Sequence, residues 1–304
     1  MRKLVTVGCV MLVMMGFALA SGVSAKDSTA TGWKKSLIID LTTTQTAYTD
    51  SWSGGEAGSF NWVGNLNGKA EKPLKPWMNF KSSLKLSFGQ SLIQEIDSLG
   101  NKSWNKPRKS TDLIDFENVA RFTLHKFVDP YAAFRLESQF LDASVDAKKR
   151  ILNPLKLTQS AGIARQFYVR DKDEIVSRLG LAVREIFKQP IIDSVTLETG
   201  DSTLIDGGLE SVTDVSLTFN EKLSYTGKLT LFKAFFFSRQ DDVKGTPYED
   251  DWKAIDINWE NIISAQVTKI ITVNLYTQFV YDKQVTRKGQ FKETLGIGFI
   301  FKLI

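Results

Sequence analysis

Apolar and polar residues alternate with period two along most of this chain. Met78, Phe80, Leu84, Leu86 and Phe88 interleave with Asn79, Lys81, Ser83, Lys85 and Ser87. Successive side chains of a β-strand point to opposite faces, so this segment reads as a strand with one apolar and one polar side. The same reading holds for Ile271, Val273, Leu275, Thr277, Phe279 and Tyr281 against Thr272, Asn274, Tyr276, Gln278 and Asp282, and again for Phe291, Leu295, Ile297, Phe299 and Phe301 against Lys292, Thr294, Gly296, Gly298 and Lys302. Noisier segments begin near Trp33, Phe60, Phe116, Tyr131, Leu155, Ile175, Leu209, Gly227 and Trp252. The expectation is about twelve strands, most of them near or above the roughly 9–11 residues with which a tilted strand crosses a bilayer.

Proline cannot donate into a sheet ladder. The reading places Pro73, Pro76, Pro107, Pro130, Pro154, Pro190 and Pro247 all between strands. Short joints near Val128-Asp129-Pro130, Arg170 to Glu174, Tyr225-Thr226-Gly227 and Thr268-Lys269 alternate with long ones near 46–58, 95–111, 142–154, 188–207 and 239–250, the joint from Gly68 to Pro76 being longer than its place predicts. Short turns on one side and long loops on the other fit an outer-membrane barrel with its turns in the periplasm.

A soluble barrel also alternates; strand lengths, the N-terminal signal and the loop asymmetry favour the membrane barrel, and charge then decides which face of an embedded barrel is outside. Lys81, Lys85, Glu117, Arg121, Arg135, Glu137, Arg178, Arg184, Asp256 and Glu260 fall near strand centres. Facing lipid, a mid-bilayer Arg or Lys costs about 2–4 kcal/mol, so these ten residues are expected to line a lumen while the apolar side faces outward.

The first 25 residues read as a secretory signal: basic at Arg2 and Lys3, apolar from Leu4 to about Ala20, and small at Val23-Ser24-Ala25, with cleavage expected near Ala25 and the barrel in residues 26–304. Losing Arg2 and Lys3 lowers the net charge from +5 to +3, which is no nucleic-acid footprint. The single cysteine, Cys9, leaves with the signal, and with it any disulfide or thiolate metal site. The densest apolar run after Ala25, Ala234 to Phe237, is far shorter than the roughly 18 residues of a membrane helix.

Other candidate chemistry is thin. His125 is the only histidine, and the residues two away are Thr123 and Phe127, so no serine shares its face to be activated; a hydrogen-bonded lumen residue beside Arg121 or Glu137 is the expected role. Asp256 and Glu260 share a face with Asn258, near Asp214, but basic residues around the same wall favour ion pairing over acid catalysis or Ca²⁺. Trp52-Ser53-Gly54-Gly55 lies in the first long loop as an interfacial turn. Trp33, Trp62, Trp77, Trp104, Trp252 and Trp259 are expected mostly in aromatic girdles, and Phe235 and Phe237 are placed in the lumen beside Lys233, either to line a constriction for an apolar solute or to pack beneath a folded-in loop. No phosphate-cradling loop and no fixed-period repeat is visible.

The segments Trp33–Tyr48 (WKKSLIIDLTTTQTAY), Trp52–Gly55 (WSGG), Asp112–Phe116 (DLIDF), Phe134–Phe140 (FRLESQF), Lys228–Phe232 (KLTLF), Trp259–Asn261 (WEN) and Phe279–Asp282 (FVYD) resemble an uncharacterised family of bacterial outer-membrane proteins, a domain of unknown function. The resemblance implies an outer-membrane β-barrel and brings no catalytic residues. The chain departs from many such barrels in ending Phe301-Lys302-Leu303-Ile304, without a terminal aromatic residue.

The sequence therefore predicts an all-β protein, a single antiparallel transmembrane β-barrel of about twelve strands in the outer membrane. It is expected to be a narrow passive pore for small hydrophilic solutes and not an enzyme, with no cofactor and no metal site. The alternative is a closed structural or docking barrel whose outer loops bind a protein or glycan. Its expected partners are outer-membrane lipid and, during biogenesis, the barrel-assembly machinery and periplasmic chaperones.

Overall fold

The computed structural model describes residues 32–47, 57–97, 101–124, 126–145, 147–170, 173–193 and 196–302. The expected signal segment, His125, Trp52–Gly55 and the last two residues lie outside the described residues.

Twelve long strands make the wall: β1 (Lys34–Thr46), β2 (Ser59–Lys75), β3 (Met78–Ile96), β4 (Arg108–Phe122), β5 (Asp129–Ser138), β6 (Leu155–Arg170), β7 (Asp173–Lys188), β8 (Ser202–Thr218), β9 (Leu223–Phe237), β10 (Ile255–Gln266), β11 (Ile271–Tyr281) and β12 (Gln290–Lys302). Each pairs antiparallel with its sequence neighbour. β12 pairs back onto β1 from Ile38↔Lys302 to Thr43↔Ile297, so the sheet closes and has no edge. Glycine makes room at this seam. A Cβ at Gly296 would overlap Thr42 and one at Gly298 would overlap Asp40; without them, Asn274 on β11 reaches across β12 to the Asp40 carboxylate at 3.3 Å.

The register fixes the faces. Asp40 pairs with Asn65, Asn65 with Ser87, Lys85 with Asp115, Glu117 with Arg135 and Arg184 with Asp206, so one polar face runs around the inside. The opposite face carries Leu181 (65% exposed), Leu295 (62%), Ile297 (59%) and Phe299, whereas Arg178 and Arg135 are 5% and 8% exposed. Apolar side chains bare outside and charges enclosed inside is the polarity of a transmembrane barrel.

The short joints, at 76–77, 123–128, 171–172, 219–222 and 267–270, fall at one end of the strands, and the longer ones, at 47–58, 97–107, 139–154, 189–201, 238–254 and 282–289, at the other. The alternation is thus complete, including the joint read as exceptional. β2 continues to Lys75 and leaves only Pro76-Trp77 to turn the chain, with a bulge between Pro73 and Lys75.

Pro73 therefore lies within a strand, as does Pro130 near the start of β5, and the placement of all seven prolines between strands is corrected. Both sit near strand ends, where one missing donor is tolerated. Three strands begin earlier than the alternation suggests: β4 at Arg108, β8 at Ser202 and β9 at Leu223. Their first residues are mostly polar and carry little period-two signal. Tyr225–Gly227 is thus inside β9, and Trp252 belongs to the loop before β10.

Candidate functional site

The enclosed polar face holds all ten residues expected at the lumen, and the structure brings most of them into ion pairs. Arg135 on β5 grips Asp115 on β4 with Nε and Nη2, each 2.9 Å from a carboxylate oxygen, and Nη2 lies 3.2 Å from Glu137. Glu137 is in turn 3.1 Å from Lys156 on β6. Arg178 on β7 lies 2.7 Å from Glu117 and 3.4 Å from Asp214 on β8. Arg184 forks onto Asp206 at 2.6 and 2.7 Å, reaches Asp256 on β10 at 2.8 Å, and lies 3.6 Å from the centre of the Phe232 ring. Arg121, the loosest of the set, is 3.8 Å from Asp129. A guanidinium presents a planar fork that matches a carboxylate, so the two-point contacts at Asp115 and Asp206 fix these side chains in place.

Two bridges cross the barrel. Lys228 on β9 lies 2.9 Å from Glu117 on β4, and Lys85 on β3 lies 3.3 Å from Glu260 on β10. Each pair stands five strands apart around a ring of twelve, one short of directly opposite. Lys81 on β3 reaches Glu174 on β7 at 3.4 Å, four strands away, and Lys292 on β12 reaches Thr111 on β4 at 3.2 Å, also four away. Glu117 is the hub: it accepts from Arg178 through one oxygen and from Lys228 through the other.

Asp256 and Glu260 are thus held by separate cations, Arg184 and Lys85, and Asp214 by Arg178. A free carboxylate pair for acid chemistry is not what this wall presents.

Beyond the ten expected residues, the network uses Asp115, Lys228, Asp206, Lys156 and Glu174. Asp115 was legible, being two residues before Glu117 in one strand. Asp206 was hidden in a segment read as loop, and Lys228 lay at a strand start placed four residues late.

At the loop end the mouth is roofed. A bulge in β9 lets Gly207 pair with Phe236 and Gly208 with Ala234, skipping Phe235. Phe232, Ala234 and Phe237 are buried while Phe235 and Phe236 are exposed, and the side chain of Lys233 donates to the Lys253 carbonyl. The placement of Phe235 in the lumen beside Lys233 is therefore corrected: Lys233 pairs with Leu209 and Ile255 on the outer face, opposite Lys228 and Phe232, and Phe235 stays outside with it, while the bulge turns Phe237 back to the inner face. Trp252, from the segment before β10, stacks on Phe237 with ring centres 6.3 Å apart and packs on the cluster of Ala182, Phe232 and Ala234. It is a roof residue and no part of a girdle.

That segment is latched to its neighbour. The buried Asp251 carboxylate accepts from Arg287 Nε at 3.1 Å and lies 3.1 Å from Lys283 Nζ. The Arg287 hydrogen bonds, joined by those of Lys283, hold the Asp251 carboxyl below the usual carboxylate range. A second tie joins segments 139–154 and 189–201. Arg150 pairs with Asp142 at 2.7 Å and donates to the Gln189 carbonyl, while Asn153 bonds Asp142 at 2.6 Å and accepts from the Gln189 N–H at 2.7 Å. Burial opposes ionisation of Asp142, but hydrogen bonds from Ser144 and Asn153, with the Arg150 charge, outweigh it and leave the carboxyl below its ordinary range.

Residues 43–143 match a family described as protein of unknown function (DUF3078). The match takes in the WSGG, DLIDF and FRLESQF segments and six of the ten expected lumen residues, from Lys81 to Glu137. The resemblance to an uncharacterised outer-membrane barrel family thus holds over a third of the chain, and the later segments fall outside the matched range. No curated protein matches the chain.

Similar solved structures include an outer-membrane channel from Pseudomonas putida F1 (13% identity over 93% of this chain and 100% of that one, TM-score 0.41) and the NanC porin (10% identity, 88% and 100%, TM-score 0.36). A third is the translocator domain of the autotransporter NalP from Neisseria meningitidis (10% identity, 98% of each chain, TM-score 0.35). The barrel class of this chain rests on its own strand closure and inverted polarity.

Proposed function

We propose that this protein is a bacterial outer-membrane barrel, exported by its N-terminal signal, whose polar lumen is a narrow, high-resistance path for small hydrophilic solutes. One observation carries the reading: charged side chains of opposite sign meet across the barrel, Lys228 with Glu117 and Lys85 with Glu260. A polar interior of mixed charge can pass water-soluble species, and its bridges set the resistance. Parting a bridge exposes two charges to water, which returns much of the hydration lost on pairing, so such a bridge can open where a dry apolar plug would not.

The test is planar-bilayer recording with the refolded mature chain. The wild type is expected to show small discrete steps. Replacing both members of one bridge, Lys85→Ser with Glu260→Ser, is expected to raise unitary conductance several-fold, because removing both partners widens the path without stranding a charge. Electrically silent bilayers from both proteins, with intact β-structure by circular dichroism, would overturn the reading.

A closed barrel with docking loops is the second reading, and one feature favours it. Among the described residues of the loop end, Trp252 is seated in the mouth, and side chains tie segment 139–154 to 189–201 and 238–254 to 282–289. Silent bilayers together with specific capture of a glycan or protein by the outer segments would establish it.

A further inference from the structure

Three lysines share one patch of the inner wall. Lys69 on β2 pairs in register with Ser83 on β3, so it stands between Lys81 and Lys85, which project from the same face of β3 two residues to either side. Diagonal neighbours on adjacent strands are about 7–8 Å apart, within reach of one bound group for long side chains.

Their partners differ. Lys81 and Lys85 each reach across to a glutamate. Lys69 has neither an ion pair nor a hydrogen bond among the described residues. It is also exposed although it faces into the barrel, and the side chains of Lys81 and Glu174 are 37% and 32% accessible. Water therefore has space on this side of the barrel, and an ammonium with no bonded carboxylate among the described residues faces it.

The geometry points to an anion-binding site at Lys69, Lys81 and Lys85 that takes the phosphate or carboxylate group of a small solute. Rather than sitting as one isolated charge, the bound oxyanion meets Lys69 directly and competes with Glu174 and Glu260 for the two flanking ammoniums. Asp214 and Glu174, the acids whose charges also reach Lys69, set a limit on affinity, so binding is weak and reversible, as a path for solute requires. This inference names a solute class for the proposed pore and rests on that reading for its transport role, but binding itself does not require conduction.

The experiment uses the mature barrel refolded in zwitterionic detergent and inorganic phosphate as the probe, followed by ³¹P line broadening at constant ionic strength. Saturable binding is expected for the wild type. Lys69→Gln is expected to weaken it about three- to tenfold, the effect of one unit charge a few ångströms away in a water-accessible site. Lys69→Arg should restore it, and Lys292→Gln, altering a lumen lysine already bonded to Thr111, should leave it unchanged. In bilayers the same Lys69→Gln substitution should move the reversal potential in a KCl gradient toward cations. Absence of saturable phosphate binding, or equal binding by wild type and Lys69→Gln, overturns the site. Phosphate binding lost in Lys69→Gln but with silent bilayers keeps the site and removes the pore; conduction without phosphate binding does the reverse.

Discussion

Two stretches of the lumen wall hold charge in different ways. From β4 to β8, Arg135, Arg178 and Arg184 are buried, and each is gripped by two or more carboxylate contacts within 3.5 Å. On β2 and β3 the cations are lysines, partly accessible, with single contacts of 3.3–3.4 Å or none. A buried guanidinium fork loses more when a partner goes, because the charge left behind cannot rehydrate. A lysine at the edge of a watered space simply returns to water. The β4–β8 stretch is therefore scaffold, and the β2–β3 stretch is where the proposed anion would exchange.

The sharpest way to break this contrast is Glu117→Gln, which leaves Arg178 and Lys228 facing a neutral hub. Breaking such a buried pair costs about 3–5 kcal/mol, so the midpoint of guanidinium unfolding in lipid vesicles should fall strongly. A change below about 1 kcal/mol would mean that water already solvates the hub.

Next is Arg135→Lys, which keeps the charge but loses the fork on Asp115. A cost of about 1–3 kcal/mol is expected by the same measurement, the value of a charge-assisted hydrogen bond. Lys81→Gln, on the neighbouring β3, is expected to cost less than about 1 kcal/mol, since its pair with Glu174 is over a third exposed on the lysine side. If Lys81→Gln proved as damaging as Glu117→Gln, the division into scaffold and exchangeable wall would fail.

The smallest effect concerns the mouth. Because Arg287 holds the Asp251 carboxyl below its ordinary range, the latch contributes stability that is fully present above the usual carboxylate value and is lost as pH falls through the depressed one. Proteolysis within segment 238–254 should accordingly be slow at neutral pH and accelerate only under acid conditions. Asp251→Asn should show the faster cleavage already at neutral pH, with the barrel's unfolding midpoint little changed.

Particular residues show how much could be read in advance. The strands from Met78, Ile271 and Gln290 were legible because their alternation is clean over ten or more positions, and that alternation alone assigns Lys81 and Lys85 to the face opposite Leu84 and Leu86. β8 was only half legible: its opening Ser202 to Gly207 mixes glycine and acid with little period, so Asp206 was taken for loop. In β9 Lys233 lies on the face opposite Lys228, so Phe235 is outside, and the bulge at Phe235, which no period-two count shows, is what returns Phe237 to the inner face.

The sequence by itself determined the periodicity, the polarity of each face and the alternation of short and long joints, because these follow from the two-residue repeat of a strand and the high cost of charge in lipid. Only the tertiary structure decided which cations meet which carboxylates. Lys228 and Glu117 lie 111 residues apart, and Lys85 and Glu260 lie 175 apart. Their encounter depends on strand number and register summed around a closed ring, which no local pattern encodes. The same closure left Lys69 beside two bridged lysines with no carboxylate of its own.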